Sequence, residues 1–159
     1  MQITSSILAA QPFFKGLSER QVSLLFDNSM PVEFPAGKSI FLEGQLANRF
    51  YLILEGEVAL ESSAGGNDGE PSLIQTIGAG DVLGWSWLFP PYNWHFNARA
   101  VKPTHAIFIY GTRVRELCEN DRDLGYELMK RTAKVVIGRL QSARRRLVEQ
   151  ERKSFPVTI

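Results

Sequence analysis

Apolar positions along this 159-residue chain change their period twice, which divides it into three stretches. Near the N-terminus, Ser18 followed by Gln21 reads as a capping box, and Val22, Leu25 and Phe26 then recur on one helical face. Pro12, Phe13 and Phe14 precede that helix as an apolar anchor for the N-terminal arm, and Pro31 is expected to end it. From there to about Tyr110 the period falls to two, in short runs rich in Val, Ile, Phe and Leu broken by Gly, Pro and Asn. Residues 39–42 form one such run. Residues 49–60 form the clearest, with Tyr51 and Ile53 on one side and Leu52 and Leu54 on the other. Glu55-Gly56 marks a bulge or sharp bend before Val58 and Leu60 resume the alternation. Residues 62–71 are polar and Gly-rich, an expected long and mobile turn, and 72–77 return as a strand. Short strands at this spacing indicate a barrel or jelly roll, not an α/β sheet.

After Tyr110 the period lengthens. Thr112 is expected to cap a short helix running through Cys118, and Asn120 or Asp121 to start a long one reaching about Glu149. Within it Met129, Val136 and Ala143 fall seven apart, as do Ala133, Leu140 and Leu147. The two series are four residues out of phase, the a and d positions of a heptad seam. A helix docked on its own domain shows a similar period, but this seam runs far past the barrel. A parallel homodimer through 129–147 is therefore expected. The reading is one mainly-β domain over 1–159: helix and barrel at 10–111, C-terminal helices at 112–150 and a tail at 151–159.

The net charge of +1 conceals an uneven distribution. Residues 128–153 carry nine Lys/Arg against two Asp/Glu, leaving nine against fifteen elsewhere. That basic helix either offers a solvated face offsetting an acidic body, or touches nucleic acid or an anionic membrane surface. About ten residues follow Glu149, Pro156 among them, so sequence-specific DNA binding is not expected of this chain alone. Cys118 is the single cysteine, which excludes an intrachain disulfide and reads as a small buried side chain. The N-terminus lacks a signal peptide's basic start and apolar core, and no apolar run approaches the roughly 18–20 residues of a membrane span. A cytoplasmic location is expected.

The residue inventory speaks against catalysis. His95 and His105 are the only histidines, too few for a cupin-like metal centre, and His105 reads as a surface position at a strand edge. No Ser–His–Asp arrangement, activated cysteine or Walker-type loop is legible. No catalytic residue, metal or cofactor is expected. The informative segment is 78–101, GAGDVLGWSWLFPPYNWHFNARAV, which holds all three tryptophans, Pro90-Pro91 and His95. A Gly-rich entry, a short turn and a return strand mark a place where a barrel can open to a small ligand.

The order of short helix, FPAGKSIFLEGQLANRFYLILEGEVAL, Gly-rich turn, GAGDVLG and long helix carries a family resemblance. Its most specific pieces are Pro35-Ala36-Gly37, Glu43-Gly44, Tyr51 through Val58, and Gly78 through Gly84. Over roughly 10–150 the chain resembles the cyclic-nucleotide-binding domain of the catabolite-activator and fumarate-nitrate-regulator family, shared with protein kinase A regulatory subunits and gated channels. The resemblance implies a double-stranded β-helix, or jelly-roll barrel, with a non-catalytic regulatory role. It also implies a phosphate cassette: a Gly, then a Glu holding the ribose 2′-hydroxyl, and about ten residues later an Arg neutralising the phosphate. Here Gly84 matches, but Trp85 follows it, and Trp94 stands where the Arg belongs. One or two residues of slippage offer His95, Phe96 or Asn97 instead. Arg99 is the nearest guanidinium and faces outward if Ala98 and Ala100 face inward. Losing the Arg and Glu contacts removes about three to five decades of affinity, which disfavours cyclic AMP in the usual mode.

Two readings stay open. In one, Trp85, Ser86, Trp87, Trp94, His95, Phe96 and Asn97 line a pocket beside Gly84 for an apolar, aromatic or cationic ligand. Binding there would bias the C-terminal helix and signal to a partner protein. In the other, the aromatic side chains seal the vacated interior, leaving a dimeric adaptor without a ligand.

Overall fold

Residues 2–63 and 70–154 are described by a computed structural model. Among the described residues the two-residue period builds eight strands: β1 (Ser29–Phe34), β2 (Ser39–Phe41), β3 (Arg49–Glu55), β4 (Glu57–Ser62), β5 (Ser72–Gly78), β6 (Val82–Leu83), β7 (Asn97–Ala100) and β8 (Thr104–Tyr110). They form two antiparallel four-stranded sheets, ordered β1-β8-β3-β6 and β2-β7-β4-β5. This is the expected jelly roll.

Alternation along β3 and β8 explains their nearly unbroken apolar sequence. Phe50, Leu52, Ile107 and Ile109 face outward from the first sheet into a core shared with the helices. Tyr51, Ile53 and Ala106 face inward, into a second core between the sheets with Val58, Leu60, Ala98 and Ala100. Both faces of that sheet are therefore covered, which keeps both sets of positions apolar along the middle of each strand. The chain crosses from one sheet to the other at Gly56, where φ is +114°. A Cβ there would lie 2.4 Å from Thr104 Oγ1 and 2.7 Å from the Pro103 carbonyl oxygen, so only glycine fits the corner. Of the expected turn at 62–71, residues 64–69 lie outside the described residues.

Helix α1 (Ser5–Ala9) and a 3-10 turn at Pro12–Phe14 lead into α2 (Glu19–Phe26). The Ser18–Gln21 capping box is present in both directions, and Phe14 is buried beneath the helices. Pro31 does not end α2, which stops at Phe26; it sits inside β1, opposite Ile107. A strand paired on one side only tolerates the missing N–H.

Helix α3 (Gly111–Asn120) starts one residue before Thr112, which therefore does not cap it; the cap position is Tyr110. The long helix α4 (Arg122–Ser154) continues past Glu149. Asp121 starts it: Oδ1 accepts the Leu124 N–H at 3.1 Å, and Oδ2 accepts from Arg20 Nη2 at 2.6 Å. Leu124 and Leu128 are fully buried against the domain. Each contributes about 1.5–3 kcal/mol by leaving water. Arg131 Nη1 donates to the carbonyls of Phe13 (2.8 Å) and Lys15 (2.9 Å), fastening the N-terminal arm under α4. No described helix is long and apolar enough to cross a membrane.

Candidate functional site

β6 ends at Leu83, and the next residue must leave the sheet sharply. Gly84 does so with φ +100°, and a Cβ there would lie 2.9 Å from Trp94 Cζ3. The glycine thus serves the tryptophan as well as the turn. Trp94 is 2% exposed and stacks on Phe41, with ring centroids 3.7 Å apart and planes 6° from parallel. Phe96 is also buried, tilted against Phe41 at 5.7 Å. Both belong to the core between the sheets. The loop is pinned to the turn after β2: Trp94 N–H donates to the Gln45 carbonyl at 3.0 Å, and Gly44 N–H to the Trp94 carbonyl at 2.9 Å.

The remaining candidates scatter. Trp87 lies on the opposite side of the first sheet, stacked on Phe50 at 4.7 Å in the helix-side core. Ser86 is fully buried at the cassette's single 3-10 turn (Ser86–Leu88), with its Oγ 2.9 Å from His95 Nδ1. Half-buried Trp85 stacks on His95 at 4.7 Å and meets Phe89 edge-on. Asn97 opens β7 on its outward face: Oδ1 accepts the Glu43 N–H at 2.7 Å, and Nδ2 donates to Ser63 Oγ at 3.0 Å. The structure therefore brings Gly84, Trp94 and Phe96 together inside the barrel. Trp85, Ser86 and His95 form a cluster at its mouth, while Trp87 and Asn97 stand apart.

Arg99 points outward. Its Nε and Nη2 lie 3.1 and 3.3 Å from the Glu61 carboxylate, and that hydrogen-bonded pairing holds the guanidinium's pKa above its ordinary value. A different arginine reaches the barrel. Arg49 lies over the Trp94 ring at 5.5 Å and the Tyr51 ring at 5.9 Å. Its Nε donates to Tyr51 Oη (2.8 Å), Nη1 to Asn48 Oδ1 (3.1 Å) and Nη2 to the Ile40 carbonyl (3.3 Å). A search confined to the cassette misses it. The alternation that turns Tyr51 inward turns Arg49 inward as well. The interior thus holds a cation, engaged by three neutral acceptors, behind an indole. Trp94 Nε1 is buried there without a hydrogen-bond partner.

Two side chains outside the cassette also differ from their ordinary reading. His105 is not at a sheet edge: β8 lies between β1 and β3, and His105 Nδ1 is 3.2 Å from Glu33 Oε1. Burial, followed by the charges of Asp121 and Glu119, pushes the Cys118 thiol up to about 11. Among the described residues no three His, Cys, Asp or Glu side chains gather closely enough to hold a metal ion.

The family model of the cyclic nucleotide-binding domain matches residues 31–121. Among curated proteins, the CRP-like cAMP-activated global transcriptional regulator of Mycobacterium tuberculosis is 26% identical over 124 residues, covering 78% of this chain and 54% of its own. The cyclic AMP receptor protein of Thermus thermophilus is 27% identical over 103 residues, covering 65% and 47%. The chain spans about half the length of these curated relatives. A solved structure from Geobacter metallireducens GS-15, named for cyclic nucleotide binding, is 34% identical with a TM-score of 0.79, covering 87% of this chain and 99% of that one. The matched segment runs from β1 through α3 and contains the whole cassette, so the chain belongs to the cyclic nucleotide-binding domain family.

Proposed function

We propose that this chain is a non-catalytic regulatory domain whose barrel interior is closed by its own aromatic side chains. It would act as a homodimeric adaptor through α4. The observation that carries the reading is Trp94 stacked on Phe41, at the position where the resemblance puts a phosphate-binding arginine. A nucleotide in the usual mode must expel that indole, and emptying a packed Trp site costs about 3–5 kcal/mol. The dimer rests on α4, whose face turned from the barrel exposes Met129, Ala133, Leu140, Ala143 and Leu147, with Val136 half-buried. Ile137 adds to this stripe at 53% exposure.

One observation favours a second reading, in which Trp94 is a gate. Its buried N–H has no acceptor, and Arg49 waits behind it. A ligand displacing the indole would gain a cation. Titration calorimetry with cyclic AMP and cyclic GMP separates the two. The closed barrel gives no micromolar binding, and Trp94→Ala lowers denaturant stability by about 3–5 kcal/mol. Micromolar binding to the unaltered protein would establish the gate instead.

A further inference from the structure

A second concavity lies outside the barrel, where α4, the N-terminal arm and the turn between β5 and β6 meet. It measures about 330 Å³ and has an apolar floor that includes Phe13 and Val135. Three cations, Arg131, Lys134 and Arg139, line it against one carboxylate, Asp81. Positions 131, 134, 135, 138 and 139 share one face of the helix. Gly138 leaves the space open, since a Cβ there would meet nothing within 4 Å.

Arg139 is the informative residue. Its Nη2 donates to the Val82 carbonyl at 2.7 Å, but its Nε has no accessible surface and no partner. Among the described residues no carboxylate lies within 4.0 Å of it. Burial pulls the guanidinium below its ordinary pKa, and the Asp81 charge offsets this in part. Asp81 itself is occupied within its turn, accepting the Gly78 N–H at 2.9 Å. Arg131 likewise keeps a buried Nε without a partner while Glu127 meets its Nη2 at 3.2 Å. A guanidinium drawn partly out of water with no carboxylate on it is costly, and an anion arriving in the cleft offsets that cost through its charge.

We propose that this cleft binds a small molecule joining a phosphate or carboxylate to an apolar body, the oxyanion meeting Arg139 and Lys134 and the body lying on Phe13 and Val135. The site is independent of the barrel interior. Its ligand would bridge α4 to the turn that leads into Gly84.

Calorimetric titration with phenyl phosphate, benzoate and uncharged benzamide tests it. At least one anion should bind once per chain, saturate below about 10 mM and weaken as salt rises. Benzamide should bind at least tenfold more weakly. Whichever anion binds more tightly identifies the oxyanion. Arg139→Gln should weaken binding at least tenfold. Lys134→Gln should weaken it severalfold without changing the melting temperature, because that exposed side chain holds no other described group. The proposal is overturned if neither anion saturates, if benzamide matches them, or if both variants bind as the parent does. Cyclic nucleotide binding that Lys134→Gln leaves unchanged would overturn the closed-barrel reading alone.

Discussion

Trp94 and Gly84 constrain one another: the ring occupies the space a side chain at 84 would need, and the glycine's positive φ delivers the chain to the loop carrying the ring. The sequence displays both residues, and it displays the missing arginine. It does not display which side of the sheet each tryptophan takes. Trp85, Trp87 and Trp94 are alike in type, yet they end at the barrel mouth, in the helix-side core and between the sheets. Irregular backbone separates them, so no period carries their orientation. Arg49 was legible by alternation from Tyr51, though not from the cassette. Cys118 supports a prediction at this scale. With its thiol near 11, iodoacetamide alkylation should rise about tenfold per pH unit from pH 7 to about 10. A rate that is half-maximal near pH 8.5 and flat above about pH 9.5 would show that the thiol has the ordinary value.

The two misread boundaries share a cause among the elements. Pro31 and Thr112 are strong local signals, but strand pairing to β8 recruits one, and α3 begins before the other. The Asp121 signal succeeded because its side chain satisfies the α4 start directly. Its bond from Arg20, then that from the Leu124 N–H, hold the carboxyl below its ordinary pKa. A depressed carboxyl stabilises the fold above its unfolded value, about 4, and loses that contribution as pH falls through the folded value. Wild type should therefore exceed Asp121→Ala in stability at pH 7, with the gap narrowing below about pH 4. Urea midpoints across pH 2–7 measure this, and a gap independent of pH would refute it.

For the molecule as a whole, the strand runs at 39–42, 49–60 and 72–77, a glycine corner and a long helix were readable because each repeats a simple period or breaks it once, whereas β1, hidden behind Pro31, and the two-residue β6 were not. The cleft beneath α4 was not readable, since it joins residues from three distant segments: 12–13, 80–82 and 131–139. The outward stripe of α4 leads to a test of assembly. Leu140→Glu with Leu147→Glu places like charges along the seam, where the leucines are 67% and 60% exposed. Native mass spectrometry should show dimer converted to monomer, with the barrel still folded and its melting temperature no longer dependent on concentration. A wild-type protein that is monomeric at every concentration would remove the seam from the account.

The Arg139 bond to the Val82 carbonyl ends two residues short of Gly84. Advancing α4 by one residue turns its side chains by about 100°, enough to carry a guanidinium off that oxygen. One side-chain bond thus ties the middle of α4 to the strand that enters the cassette, and a shift of either element past the other has to break it.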